Sequence, residues 1–319
     1  MKQIAMLNAP FSREQVETIR GKAAEFGYEL LLPPGNGPDD AVSTAEILCG
    51  YFPHRMIRAA KELRWLALPS AGADKYVAEE IYPHGDVVLT NSSGAFGDAI
   101  AEQLLMGALM LLRSMPRYQR QQRERLWQRS CSLRFLFDST VVIVGTGNLG
   151  ASFARRLKAL GAQVIGVNRS GKTPSCDFDE IYPISQLAQA VSKGDVVAAC
   201  LPYTTETAGL FDRRIFAAMP KDAVFLNVGR GKTVCQGDLI ETLESGHLGG
   251  AMLDVAETEP MPVDCPLWEM ENVIITPHIS GSDLDEQNTG KIFSIFYDNL
   301  CRYLEGKPLR NVVDRQKGY

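Results

Sequence analysis

The chain is predicted to be an α/β protein of two domains, each a doubly wound parallel sheet, with the first domain discontinuous in sequence. Three observations carry that expectation. Strand-like and helix-like runs alternate from end to end, the pattern of parallel sheets covered by helices on both faces. The 319 residues exceed one typical core. A glycine-rich turn stands in mid-chain at residues 145–150, so something else is built before it.

The elements follow in order. The opening MKQIAMLNAP lacks the long apolar core of a signal peptide and reads as a first strand at residues 4–7. A helical stretch over 13–26 is closed by Gly27. Apolar runs at 29–32, 47–51, 65–68 and 87–90 supply the remaining strands of a small α/β domain. The helix expected over 98–113 is apolar nearly all round, which implies burial on more than one side, with a subunit interface as one candidate. The run TVVIV at 140–144 then enters the glycine turn, and strands at 164–167, 196–201, 224–228, 251–255 and 273–276 complete a second sheet. A last helix is expected from Asp283, after a capping Ser282, to Glu305 before Gly306. Its apolar positions, Phe296 and Leu300 among them, suit docking on the first domain. The boundaries predicted are 1–97 with 283–319 for one domain and 98–282 for the other.

Composition excludes some functions. Hydrophobic residues at 45% and charged residues at 22% are ordinary for a globular enzyme or binding protein. A net charge of −5 gives no electrostatic footprint for nucleic acid, and the arginine-rich stretch 113–134 reads as a solvated or subunit-facing helix surface. The apolar stretch 99–112 is interrupted by Glu102 and Gln103 and is too short to span a bilayer. Seven scattered cysteines show no CxxC and no zinc-like spacing with histidine, so no metal site and a reducing, cytoplasmic setting are expected.

The turn GTGNLG gives each glycine a physical task. Gly145 makes the turn, Gly147 lets the backbone approach phosphates, and Gly150 lets the helix pack closely on the strand. With Asn148 and Leu149 it places unpaired amides and the positive helix end where a dinucleotide pyrophosphate would sit. The domains are accordingly read as Rossmann-like or flavodoxin-like. About twenty residues on, where an acid would accept ribose hydroxyls, stand Asn168, Arg169 and Ser170. No carboxylate repels a 2′-phosphate there, and the guanidinium and hydroxyl suit one, so NADP is expected over NAD.

Three later segments end strands: NVGRG at 227–231, LDVAETEP at 253–260 and TPHISG at 276–281. In an open α/β sheet the carboxyl ends of strands converge on the ligand crevice, so one arginine, one acid and one histidine arrive at one mouth.

Together with SAGADKY at 70–76, TNSSGAFGDAIAEQ at 90–103 and CLPYTTET at 200–207, these motifs make the chain resemble the D-isomer-specific 2-hydroxyacid dehydrogenases over essentially its whole length. The subgroup it is most similar to is the NADPH-using glyoxylate and hydroxypyruvate reductases, chiefly through Asn168, Arg169 and Ser170. The resemblance implies reduction of a small 2-oxo acid to a D-2-hydroxy acid. It makes Arg230 the grip on the substrate carboxylate, His278 the acid that protonates the substrate oxygen, and Glu259, before Pro260, the partner that orients the imidazole. Ala71 and Gly72 would offer backbone amides to the substrate. Pro202 would cover the adenine, Val228 would line the cofactor site, and Asp254 would take the nicotinamide amide. A homodimer is implied, with closure of the smaller domain excluding water during hydride transfer.

Two departures leave the substrate open. Ala73 stands where a branched residue is common in the family, and residues 48–52 announce no particular side chain. Formate dehydrogenases carry glutamine where Glu259 stands, which argues against that activity. Two other readings stay open: a nicotinamide-sensing corepressor that binds protein motifs with little turnover, and a phosphoglycerate dehydrogenase-type enzyme.

Overall fold

The structure, a computed structural model, describes residues 2–35, 37–129, 133–172, 175–282 and 285–318. It divides into two compact units, Met1–Phe96 with Ser282–Tyr319, and Gly97–Gly281.

The first unit holds a five-stranded parallel sheet. Its strands are β1 (Lys2–Leu7), β2 (Tyr28–Leu31), β3 (Ala45–Gly50), β4 (Trp65–Ala67) and β5 (Val88–Thr90), in the order β2-β1-β3-β4-β5. Alternate side chains of β1 serve opposite layers, as the period of a strand requires. Ile4 and Met6 join Ile47 and Trp65 on one face, while Ala5 and Leu7 join Leu48 and Leu66 on the other. Helix α1 (Arg13–Glu25) starts on a capping box, with Ser12 and Gln15 satisfying each other's backbone amides, and is followed by Gly27 at φ 78°. Helix α2 (His54–Ala59) buries Met56 and Ile57 on the second face.

The second unit is a seven-stranded parallel sheet in the order β12-β11-β10-β9-β6-β7-β8. The strands are β6 (Thr140–Val144), β7 (Gln163–Asn168), β8 (Glu180–Pro183), β9 (Val196–Ala199), β10 (Val224–Asn227), β11 (Gly250–Leu253) and β12 (Val273–Ile275). The chain winds outward from β6 through β7 to β8, then returns to β9 beside β6, so the switch in winding direction falls between β6 and β9. The helices are α3 (Gly97–Leu112), α4 (Met115–Arg123), α5 (Asn148–Ala159), α6 (Leu187–Val191), α7 (Arg213–Ala218) and α8 (Gln236–Glu244). Helix α3 buries Ile100, Leu104, Ala108 and Leu112 and packs against α5, β10 and β11, while Met106 and Leu109 are exposed on its other side.

Two sequence readings are corrected here. Strand β8 is not anticipated, because EIYP at a sheet edge carries too little apolar pattern to stand out. The last helix, α9 (Glu286–Leu304), is capped not by Ser282 but by Asp285, whose carboxylate accepts from the amides of Gln287 and Asn288. The expected start at Asp283 lies outside the described residues. Helix α9 belongs to the first unit, where Phe296 and Tyr303 stack on Trp65 with ring centroids 5.6 and 5.5 Å away.

Candidate active site

The glycine turn follows β6 at the switch point. Gly145 has φ 105°, and a side chain there would place Cβ 2.5 Å from the Cys200 carbonyl oxygen at the end of β9. A Cβ at Gly150 would lie 2.0 Å from the Gly145 carbonyl oxygen and 3.0 Å from Ile143 Cγ2, so only glycine lets α5 begin this close to the strand. At Gly147, the N-cap of α5, nothing lies within 4 Å of a Cβ, which leaves open space over the turn. Asn148 and Leu149 open the helix, where amides have no partner within it. An open approach, a helix N-terminus and a turn that admits no side chains at its ends suit a pyrophosphate.

At the end of β7, Asn168 organises the neighbouring turn. Its Oδ1 accepts from the amides of Ser170 at 3.1 Å and Gly171 at 2.7 Å, while its Nδ2 donates to Thr146 Oγ1 at 3.0 Å and to the Lys172 carbonyl at 2.9 Å. One side chain thereby ties the glycine turn to the Arg169–Ser170 corner. Arg169 Nη2 donates to Glu206 at 3.2 Å, and both side chains are exposed. Glu206 belongs to the loop after β9, which Pro202 opens; Pro202 is exposed, and its carbonyl accepts from Thr207 Oγ1 at 2.7 Å. Val228, after β10, is buried, its amide donating to Ala199 O at 3.3 Å.

The loops after β10, β11 and β12 carry the arginine, the acid and the histidine. Asn227, 1% exposed, shapes the first of them: its Oδ1 accepts from Gly229 N at 3.1 Å and its Nδ2 donates to Arg230 O at 3.3 Å. Arg230 is half-buried, with Nη1 donating to Gly229 O at 2.9 Å. A Cβ at Gly231 would lie 1.8 Å from Ala256 O, so the arginine loop presses directly on the loop that leads to Glu259. Glu259 Oε1 accepts from Ala256 N at 3.1 Å, and Oε2 lies 2.8 Å from His278 Nδ1. Because a carboxylate only accepts, Nδ1 carries the proton and Nε2 is left as the nitrogen for proton exchange. The His278 side chain is 48% exposed and that of Glu259 40%, so both are open to solvent. His278 has φ 55°, a left-handed conformation uncommon for a residue with a side chain.

Asp254, which the sequence reading gives to the nicotinamide amide, also anchors the loop after β12. It is 1% exposed, and both oxygens are committed to the loop that carries His278. Oδ1 accepts from Thr276 Oγ1 at 2.6 Å and Ile279 N at 2.9 Å; Oδ2 accepts from Ser280 N at 3.0 Å and from Ser280 Oγ. Four donors fill the lone-pair sites of one carboxylate. Sequence reasoning passed over Thr276 and Ser280, although both flank the histidine inside the motif itself.

Ala71 and Gly72 belong to the first unit, in the loop after β4. Ser70 Oγ donates to Gly72 O at 2.7 Å, and Asn91 Nδ2 donates to Ala71 O at 2.7 Å, so the carbonyls are held within the unit. Among the described residues there is no group of three or more His, Cys, Asp or Glu placed to hold a metal ion, and no helix is long and apolar enough to cross a membrane.

Residues 105–280 match the family model of the D-isomer specific 2-hydroxyacid dehydrogenase NAD binding domain. A glyoxylate reductase/hydroxypyruvate reductase of Mus musculus is 32% identical over 258 residues, 79% of this chain and 77% of that protein. Among solved structures, a D-isomer specific 2-hydroxyacid dehydrogenase family protein from Aeromonas salmonicida subsp. salmonicida A449 is 34% identical with a TM-score of 0.84, covering 99% of this chain and 100% of that one. An NADPH-dependent glyoxylate/hydroxypyruvate reductase from Sinorhizobium meliloti, solved in complex with NADP and sulfate, is 29% identical with a TM-score of 0.85, again covering 99% and 100%. The chain belongs to the D-isomer specific 2-hydroxyacid dehydrogenase family, oxidoreductases that pass hydride between a nicotinamide cofactor and a small 2-oxo or 2-hydroxy acid.

Proposed function

We propose that this protein is an NADPH-preferring reductase of glyoxylate or hydroxypyruvate, with Arg230, Glu259 and His278 as its catalytic residues. The observation that carries the assignment of residues is the 2.8 Å contact between His278 Nδ1 and Glu259, on loops that pack against the one holding Arg230. The bound nicotinamide supplies hydride to the carbonyl carbon. Arg230 holds the substrate carboxylate with a planar guanidinium that stays charged. His278 delivers a proton from Nε2 to the carbonyl oxygen as negative charge develops there, and Glu259 fixes the ring by accepting from Nδ1.

The NADPH preference is supported by Arg169 and Ser170 at the end of β7, where no carboxylate occupies the Asn168 position. The S. meliloti relative was solved with NADP bound. Self-association as a homodimer is supported by the exposed apolar side chains Met106, Leu109, Leu126, Phe135 and Phe137, and by a fully exposed Trp127, all in the second unit. A reducing, cytoplasmic setting is supported by the free thiols Cys49, Cys176, Cys200, Cys235, Cys265 and Cys301.

The test follows nicotinamide absorbance as purified protein meets NADPH or NADH with glyoxylate, hydroxypyruvate, pyruvate, phenylpyruvate and phosphohydroxypyruvate. Turnover of the first two with NADPH, lost in His278→Gln, is the expected result. Cofactor binding without turnover on any acid would leave a sensor as the better reading.

A further inference from the structure

We infer that Gln103 and Thr276 are positioning residues for the reaction: through Asp254 they hold the loop that presents His278. The inference rests on His278 being the proton donor.

The loop 276–280 is folded around one buried carboxylate. His278 is bent into the left-handed region, its amide donating to Asp254 O at 2.8 Å and Thr276 O at 3.0 Å. That region is sparsely populated by residues with a side chain, histidine entering it more readily than most, and the surrounding bonds fix His278 there. Asp254 does so by gathering Thr276, Ile279 and Ser280 on both sides of the histidine.

Of these donors, the Thr276 hydroxyl has an anchor outside the loop. It donates a hydrogen bond to Asp254 Oδ1 at 2.6 Å and accepts one from Gln103 Nε2 at 3.2 Å. Gln103 is carried by α3, which packs on β10 and β11. The chain Gln103–Thr276–Asp254 therefore ties the histidine loop to the helical layer of its own unit. Sequence separations of 173 and 22 residues place neither contact within reach of local folding. The amide donor of Gln103 and the hydroxyl of Thr276 are matched in direction, because Thr276 can accept one bond while donating another. Without the hydroxyl, Oδ1 loses a donor, the Gln103 amide loses its acceptor, and the loop is freed from α3. An imidazole displaced by a fraction of a bond length loses reaction geometry far faster than it loses fold.

The experiment compares kcat, KM and cofactor Kd in the full chain for Thr276→Val, Thr276→Ser and Gln103→Leu, each alone and in a His278→Gln background. Thr276→Val is expected to lower kcat about ten-fold with NADPH Kd within about two-fold of the parent. Thr276→Ser restores turnover, and Gln103→Leu gives a smaller fall. In the His278→Gln background none of the changes lowers kcat further, since they act through the histidine. Parent-like kcat in Thr276→Val, or a loss that persists without His278, overturns the inference while leaving His278 as the acid. Full turnover in His278→Gln itself overturns the assignment on which the inference rests. If Thr276→Val does not fold, Gln103→Leu alone decides, because its removal leaves the carboxylate cage intact.

Discussion

Gly150 and Gly145 are a matched pair: a Cβ on the first would sit 2.0 Å from the carbonyl oxygen of the second. The helix and the turn therefore share one volume. Gly147 between them has nothing within 4 Å of its Cβ position. Gly150→Ala is expected to destabilise the fold by about 2 kcal/mol or more, since backbone must move to admit the methyl group. Gly147→Ala is expected to leave stability within about 0.5 kcal/mol while weakening cofactor binding. Denaturant unfolding and cofactor titration of the two variants separate these outcomes; equal loss of stability in both would contradict the distinction.

Cofactor choice turns on a pair of charges. Arg169 faces Glu206 at 3.2 Å, with side chains 55% and 70% exposed. Such a pair contributes little in water, yet a 2′-phosphate approaching Arg169 would meet the Glu206 carboxylate. Arg169→Ala should weaken NADPH binding about ten-fold or more and leave NADH nearly unchanged. Glu206→Gln should strengthen NADPH binding by a few-fold, about five at most. Fluorescence titration with both nicotinamides reads each effect; a Glu206→Gln change equal for NADPH and NADH would show that the carboxylate does not sense the phosphate.

Much of this was legible in the sequence, for physical reasons that differ by element. The glycine turn could be read because its constraints are local: φ 105° at Gly145 and the close approach at Gly150 are demands on single residues. The buried strands β6, β9 and β10 could be read because parallel strands covered on both faces are nearly continuous apolar runs. Strand β8 could not, being short, half-exposed and at an edge. The cage around the Asp254 carboxylate could not be read either, because its donors lie 22 to 26 residues away and no local pattern announces them. The Arg169–Glu206 pair spans 37 residues and is hidden for the same reason.

The first unit has its own polar anchor, and it sets a pH dependence. Glu46 on β3 accepts from Tyr28 at 2.6 Å and Tyr303 at 2.7 Å and pairs with Lys2 at 3.1 Å, joining β1, β2, β3 and α9. Burial pushes its carboxyl upward, but the hydrogen bonds from Tyr28, Tyr303 and Lys2 outweigh that and hold it below the ordinary carboxylate value. A lowered value means stabilisation that is present above the unfolded value near 4.5 and lost as pH falls through the folded one. Burial, and then Glu46, push Tyr28 up to about 12 and raise Tyr303 as well, so their contribution is present below 10 and lost as pH rises through those raised values. Glu46→Ala is expected to cost about 2 kcal/mol at pH 7, and the gap to the parent should narrow below pH 4.5. Denaturation midpoints from pH 3 to pH 8 measure it (~5 pH units suffice to bracket the transition); a gap independent of pH would show that the carboxylate's charge is not what stabilises.

The pairing of Glu259 with His278 gives the most direct test of the chemistry, because the backbone there permits a clean removal. At φ 55° asparagine is among the better tolerated residues with a side chain, whereas alanine is strained. His278→Asn should therefore keep the loop while deleting the proton donor. Turnover is expected to fall about 10²- to 10⁴-fold, the range for removal of a general acid, with cofactor affinity and melting temperature close to the parent. Glu259→Gln keeps an acceptor for Nδ1–H but weakens the hydrogen bond that orients the ring, so a smaller loss of about ten-fold or more is expected. Arg230→Lys keeps a cation but loses the planar fork, and should raise KM for the oxo acid more than it lowers kcat if its task is to grip the carboxylate. Steady-state kinetics on the three variants distinguish the roles. A fall in kcat for Arg230→Lys as deep as that for His278→Asn would place the arginine in the transition state itself, acting on the oxygen that receives the proton.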